Sequence, residues 1–179
     1  MIAQSSFGAD LSTILKKYNG NTKLTVEYDT FSTTLNESKN QKGEIYLRPG
    51  KFNWTFTEPA DKKILYNGKI ITYMEKESGA NLVTNRKGVS PKQLVWFQLF
   101  SNPGKTKVVS HDKKTNTYKV KLDQYKLEII VDNDLVKSFT YFDELDSRIT
   151  LTIKDTKFKD DSKVDFSYTP KKSDQVTDL

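Results

Sequence analysis

The chain holds few side chains that do chemistry. His111 is the only histidine, and it sits in VSHDKKTN, a polar stretch read as an exposed turn between strands. From it alone neither a triad nor a histidine metal cluster can be built. There is no cysteine, which removes thiol catalysis, disulfides and cysteine–metal sites together. No phosphate-cradling glycine loop, dinucleotide glycine pattern or metalloprotease helix motif occurs. VDNDLV begins like a calcium loop but lacks its glycine and distal glutamate, and reads as a hairpin turn; KDTKFKDDSK reads as a charged loop. The Asp and Glu residues are numerous, yet no spacing singles out a carboxylate pair for acid–base work. The expectation is a protein that is not an enzyme.

One stretch does raise a question of function. GEIYLRPGKFNWTF, residues 43–56, places Ile45 and Leu47 on alternate positions, then Arg48 and a turn, then Phe52, Trp54 and Phe56 on alternate positions. Period-two spacing aims each set at one face of a strand. A lone arginine therefore lies beside a row of large aromatics in a chain whose cations are mostly lysine.

The elements around it follow from periodicity. Leu11, Ile14, Leu15 and Tyr18 recur at i, i+3, i+4 and i+7, one apolar face of a helix over about 8–19, with Asp10 able to cap its start and Gly20 to end it. From residue 22 the period becomes two: Leu24, Val26 and Tyr28, then the two runs above, then ILYNGKIITYM, a hairpin about Asn67-Gly68 that carries Tyr73 on its second arm. The pattern breaks at VSPKQLVWFQLFSNPGK. Ser90 can cap and Pro91 can start a helix over about 90–101, which Asn102-Pro103-Gly104 stops. Leu94, Val95, Trp96, Phe97 and Leu99 make it apolar nearly all round, so it must be covered on more than one side. Strands resume with Tyr118, Val120 and Leu122; Leu127, Ile129 and Val131; LVKSFTYF with Phe139; Ile149, Leu151 and Ile153; and lastly VDFSYTP with Phe166 and Tyr168. About ten strands in a long antiparallel meander cannot stay flat. The fold class expected is mainly β with helices: a strongly curved sheet, one domain over 1–179, greasy inside and capped by helices.

Composition agrees. Hydrophobic residues are 35% of the 179, with ten Phe and nine Tyr, enough for one packed core. No apolar run approaches the length of a membrane-spanning helix. The formal charge of +6 comes from lysines spread over every segment rather than gathered in one block, which favours solvated strand faces over a nucleic-acid site.

Taken in order, Gly43-x-Ile45-x-Leu47-Arg48-Pro49-x-x-Phe52-x-Trp54, Pro59 and Ile64-x-x-Asn67-Gly68-Lys69 resemble the bacterial outer-membrane lipoprotein carrier family, LolA. The likeness takes in the amphipathic first helix, the Leu24/Val26/Tyr28 strand, the helix after Pro91, DELDSRITLTI and the closing Phe166-x-Tyr168-x-Pro170. Two departures bear on cavity shape. Leu24-x-Val26-x-Tyr28-x-Thr30 stands where the family often has Phe-x-Ala-x-Phe-x-Gln, and Tyr73 falls one place beyond the family aromatic, at which this chain has Thr72.

The resemblance implies an incomplete β-barrel closed by a helical lid around an apolar cavity. It implies a periplasmic carrier, its signal peptide already removed, that takes acylated lipoproteins from an inner-membrane ABC-type exporter and passes them to an outer-membrane receptor. The carrier would be a monomer without cofactor, metal or nucleic acid. Arg48 matches the family arginine that bonds the lid in the empty form, a role suited to a guanidinium with five donors. Phe52 matches an aromatic that influences handover. Ile45, Leu47, Trp54, Phe56, Tyr73 and Phe139 would line the cavity, and Leu94, Phe97 and Leu99 would pack the lid and meet cargo. The alternatives are a related barrel acting as outer-membrane lipoprotein receptor or as sensor of mislocalised lipoprotein, a groove hydrolase, and a basic nucleic-acid binder.

Overall fold

The computed structural model describes residues 10–88 and 94–179. The chain enters through α1 (Leu11–Lys16), started by Asp10, whose carboxylate accepts a hydrogen bond from the Thr13 N–H at 2.7 Å. This satisfies one of the N–H groups a helix leaves open at its first turn. Leu11, Ile14, Leu15 and Tyr18 are all buried, as their spacing requires. The helix is shorter than the expected 8–19, of which residues 8 and 9 lie outside the described part. Bonds from Lys17 N–H to Ile14 O and from Tyr18 N–H to Leu15 O tighten its last turn and end it ahead of Gly20.

Six strands then form an antiparallel meander: β1 (Thr22–Ser32), β2 (Glu37–Arg48), β3 (Lys51–Glu58), β4 (Lys62–Tyr66), β5 (Ile70–Glu77) and β6 (Ala80–Lys87). A second helix, α2 (Val95–Ser101), and a single 3-10 turn at Pro103–Lys105 interrupt them. A second meander follows, of β7 (Lys107–Asp112), β8 (Thr117–Leu122), β9 (Tyr125–Asp132), β10 (Leu135–Phe142) and β11 (Arg148–Phe158). β11 pairs with β1 and joins the two halves, while β12 (Gln175–Asp178) adds in parallel to β6. The result is one curved sheet of twelve strands with β12 and β7 as its edges; it does not close.

Register decides what faces inward. Leu24, Ile45, Trp54, Ile64 and Tyr73 stand opposite one another across β1 to β5, and Thr22, Leu47, Phe52, Tyr66 and Ile71 form the next inward row. In the other half, Tyr28, Leu151, Phe139, Ile129 and Tyr118 continue across β1, β11, β10, β9 and β8. Both helices lie on this concave face. Tyr18, fully buried just after α1, stacks on Phe100 of α2 at 4.5 Å, and its hydroxyl accepts the Val136 N–H of β10 at 2.9 Å. Tyr18→Phe strands that N–H and is expected to cost about 1–3 kcal/mol, read as a lower urea midpoint. An unchanged midpoint would mean that water takes the bond.

The observed strands exceed the expected ten at both edges. His111 lies in β7, not in a turn; the bulge between Val108 and Ser110 breaks the alternation that would have marked the strand. VDFSYTP is not a strand. It crosses the convex face, held by side chains: the Asn53 amide donates to Asp165 O at 2.7 Å, and Asn81 donates to the Tyr168 hydroxyl at 3.0 Å. This covering explains why the outward-facing Asn53, Leu65, Thr72 and Val83 are buried.

Candidate functional site

β3 and α2 together build the most aromatic part of the concave face. Alternation along β3 turns Phe52, Trp54 and Phe56 inward, and all three are buried. α2 lies against them: its Trp96 meets Phe52 at 4.9 Å and Trp54 at 5.6 Å, both edge to face, and its Phe97 reaches Phe52 at 4.9 Å and Tyr66 at 5.6 Å. On the far side of the helix Phe100 approaches Phe139 at 6.1 Å. Val95, Trp96, Phe97, Leu99 and Phe100 are all buried, so the helix is covered all round, as its composition demands.

What holds α2 is almost wholly apolar. Leu94, half-buried, occupies its N-cap; no side chain among the described residues caps its start, and its first and last turns carry no charged residue. The expected start at Ser90 and Pro91 lies outside the described residues, while Asn102 ends the helix as expected. Beside α2 a pocket of about 510 Å³ opens, walled by Phe97, Tyr66 and the turn at Pro49 and Gly50, with Lys51, Lys105 and Asp123 also on its lining. A wider groove of about 640 Å³ lies elsewhere, lined by Val109, Leu127 and Phe142 together with Lys119, Lys126 and Arg148.

The structure thus brings Ile45, Leu47, Phe52, Trp54, Phe56, Leu94, Phe97, Leu99 and Phe139 into one cluster. Tyr73 stands at its margin, half-buried on the same face, with the Arg86 guanidinium over its ring at 6.0 Å. Phe100 and Tyr18 belong to the cluster and are absent from the candidate set. Phe100 was legible in the run VWFQLF, at i+4 from Trp96.

Arg48 is placed differently from the expectation. Because Leu47 points inward, Arg48 points to the opposite face of the sheet. Its guanidinium donates to Asp160 Oδ2 at 3.1 Å and to Ser162 O at 2.8 Å, and it lies 5.9 Å from the Phe166 ring. Among the described residues its bonds tie β2 to the C-terminal segment, and none reaches α1 or α2. Burial pushes the Asp160 carboxyl up, but the Ser162 hydroxyl, Arg48 and Lys157 together outweigh it and hold the group below its ordinary value. Farther along, the backbone N–H of Lys171 and the Tyr168 hydroxyl hold Asp174 at about 2.

His111 is exposed, stacked on Tyr118 at 3.8 Å, with Nε2 at 2.9 Å from the Asn116 side-chain oxygen. On the concave face, burial raises the hydroxyls of Tyr28 and Tyr141, which stay neutral at physiological pH.

The class the fold defines is an open, curled sheet with apolar helices lying in its hollow. No protein-family model matches the chain, and no curated protein is similar to it in sequence. Solved structures are similar to it. A LolA superfamily protein from Nitrosomonas europaea shares 12% identity over 86% of this chain and 95% of that one, with a TM-score of 0.44. An outer-membrane lipoprotein-sorting domain, so described as putative, from Vibrio parahaemolyticus gives 10% identity over 85% and 91%, with a TM-score of 0.41. The lipoprotein LppX of Mycobacterium tuberculosis gives 13% over 87% and 100%, with a TM-score of 0.40.

Proposed function

We propose that the protein is a periplasmic carrier that takes the acyl chains of lipoproteins against its concave face, with α2 as a displaceable plug and lid. The observation that carries this reading is the way α2 is held. Each acyl methylene left in water costs about 0.8 kcal/mol, so a lipoprotein with several chains needs an apolar shelter to cross an aqueous space. The hollow offers one, but a helix fills it. That helix makes apolar contacts nearly everywhere and few directional bonds. Exchanging it for hydrocarbon therefore replaces one apolar contact by another.

In this reading Phe52, Trp54, Phe56, Ile45, Leu47 and Phe139 are the wall, and Leu94, Phe97 and Leu99 alternate between filling the hollow and covering cargo. The step is binding and release without covalent chemistry. An inner-membrane ABC-type exporter as donor and an outer-membrane receptor as acceptor are the partners that the sequence resemblance to the LolA family implies.

The test is to mix the protein with a synthetic triacylated lipopeptide without detergent and run native mass spectrometry. A soluble one-to-one complex is expected. Lipopeptide that stays aggregated, as in buffer alone, would remove the reading. The same measurement on protein purified from its own periplasm would identify natural cargo.

A further inference from the structure

Buried side-chain polar atoms nearly always find a partner, and each one that does not calls for an explanation. Among the described residues five lack one, and four of these stand on the concave face or on the helix within it: Thr22 Oγ1, Trp54 Nε1, Arg86 Nε and Trp96 Nε1. Trp96 is 0% exposed and Trp54 is 3% exposed, and their rings touch edge to face at 5.6 Å. An indole N–H is a donor and nothing else. Two such donors go unmet on neighbouring rings where the sheet and α2 meet.

We infer that Trp54 Nε1 and Trp96 Nε1 form a donor site for the carbonyl oxygens that link acyl chains to the polar part of a lipid. This rests on the carrier reading above and names the part of the ligand the aromatic cluster recognises. Hydrocarbon cannot use an N–H, whereas an ester or amide carbonyl is an acceptor that needs a donor once out of water. With α2 packed in place the two donors go unmet, which weakens the closed arrangement. A diester inserted between β3 and α2 is met by Trp54 from the sheet and by Trp96 from the helix that then covers it, so the same two groups weaken the closed seam and reward the guest that opens it. The site fixes how deep a chain enters: the linkage stops at the indoles, and the hydrocarbon runs on past them.

The two indoles are the only tryptophans in the chain, so intrinsic fluorescence reads this site alone. The probes are dioctanoylglycerol and the diheptyl ether of glycerol, equal in alkyl carbons but differing in the carbonyls. The wild-type protein is expected to bind the diester about tenfold more tightly, the effect of two net hydrogen bonds, with indole emission moving to longer wavelength for the diester only. Trp54→Phe with Trp96→Phe keeps two aromatic rings and removes both donors; titration calorimetry, which needs no tryptophan, should then show the diester and the ether binding equally. Equal affinities in the wild-type protein would overturn the inference, showing that the N–H groups rest on neighbouring rings. A preference that survives the double substitution would overturn it too. If neither probe binds while the protein is folded, the carrier reading itself falls. Hydrocarbon binding without ester preference leaves that reading standing and removes only the donor site.

Discussion

Arg48→Leu is expected to lower stability by about 3 kcal/mol, roughly 6–12 °C in melting temperature for a chain of this size. The reason is the partner left behind. The Asp160 side chain is 0% exposed and that of Arg48 only 14% exposed, so the substitution strands a carboxylate that cannot reach water. The figure sits at the low end for breaking a buried pair, because the Ser162 hydroxyl and Lys157 still approach Asp160 at 2.8 and 3.4 Å. Adding Asp160→Leu removes the stranded charge and should recover much of the loss. The pH dependence has a definite sign. The folded-state value of Asp160 lies below the ordinary 3.8, so its stabilising contribution is complete above that value and is lost as pH falls through the folded-state value. The gap between wild type and Arg48→Leu should therefore narrow in acid, since a protonated Asp160 no longer needs the guanidinium. Melting curves at neutral pH and near pH 3 check both points, and an unchanged melting temperature at neutral pH would show the pair to be dispensable. Lipopeptide retention measured on the same variant separates two roles. A loss beyond what the stability change explains would return Arg48 to the control of α2.

How far this arrangement could be read in the sequence varies with range. The inward row Phe52, Trp54, Phe56 follows from period-two spacing alone, and so do Ile45 and Leu47. The same alternation already turned Arg48 outward, against the lid role that the family resemblance gave it. Its partner could not be seen, because Asp160 is 112 residues away within KDTKFKDDSK, which carries no local mark distinguishing a buried carboxylate from a solvated one. Only the return of the C-terminal segment across the outer face takes that residue out of water. Edges were hidden for a related reason. β12 has no apolar alternation, since all four of its residues are exposed, and it exists because β6 offers a free row of backbone groups. By contrast the burial of α2 on all sides was written in VWFQLF itself. What occupies the hollow when α2 is in it, namely its own aromatics, was not, because a helix that lids a space and a helix that fills it have the same sequence.

That ambiguity sets the second large expectation. Phe52→Ala should cost about 3–5 kcal/mol, or roughly 6–20 °C, since Phe52 is fully buried with Tyr66, Trp96 and Phe97 all within 6 Å of its ring. The loss alone would say only that Phe52 packs well. What tests the hollow is whether a guest repairs it. The hole left by a benzyl group is lined by aromatic and aliphatic side chains, stays dry and accepts hydrocarbon. A ligand that binds only the folded state raises stability by RT ln(1 + [L]/Kd), so a fatty acid at 100 times its Kd restores about 2.7 kcal/mol. If α2 exchanges with acyl chains, the wild-type protein should also gain from the fatty acid, and Phe52→Ala should gain more. A rise confined to the variant would describe an engineered cavity in a solid core. No rise in either would leave α2 as a permanent part of that core, with no room for an acyl chain beneath it.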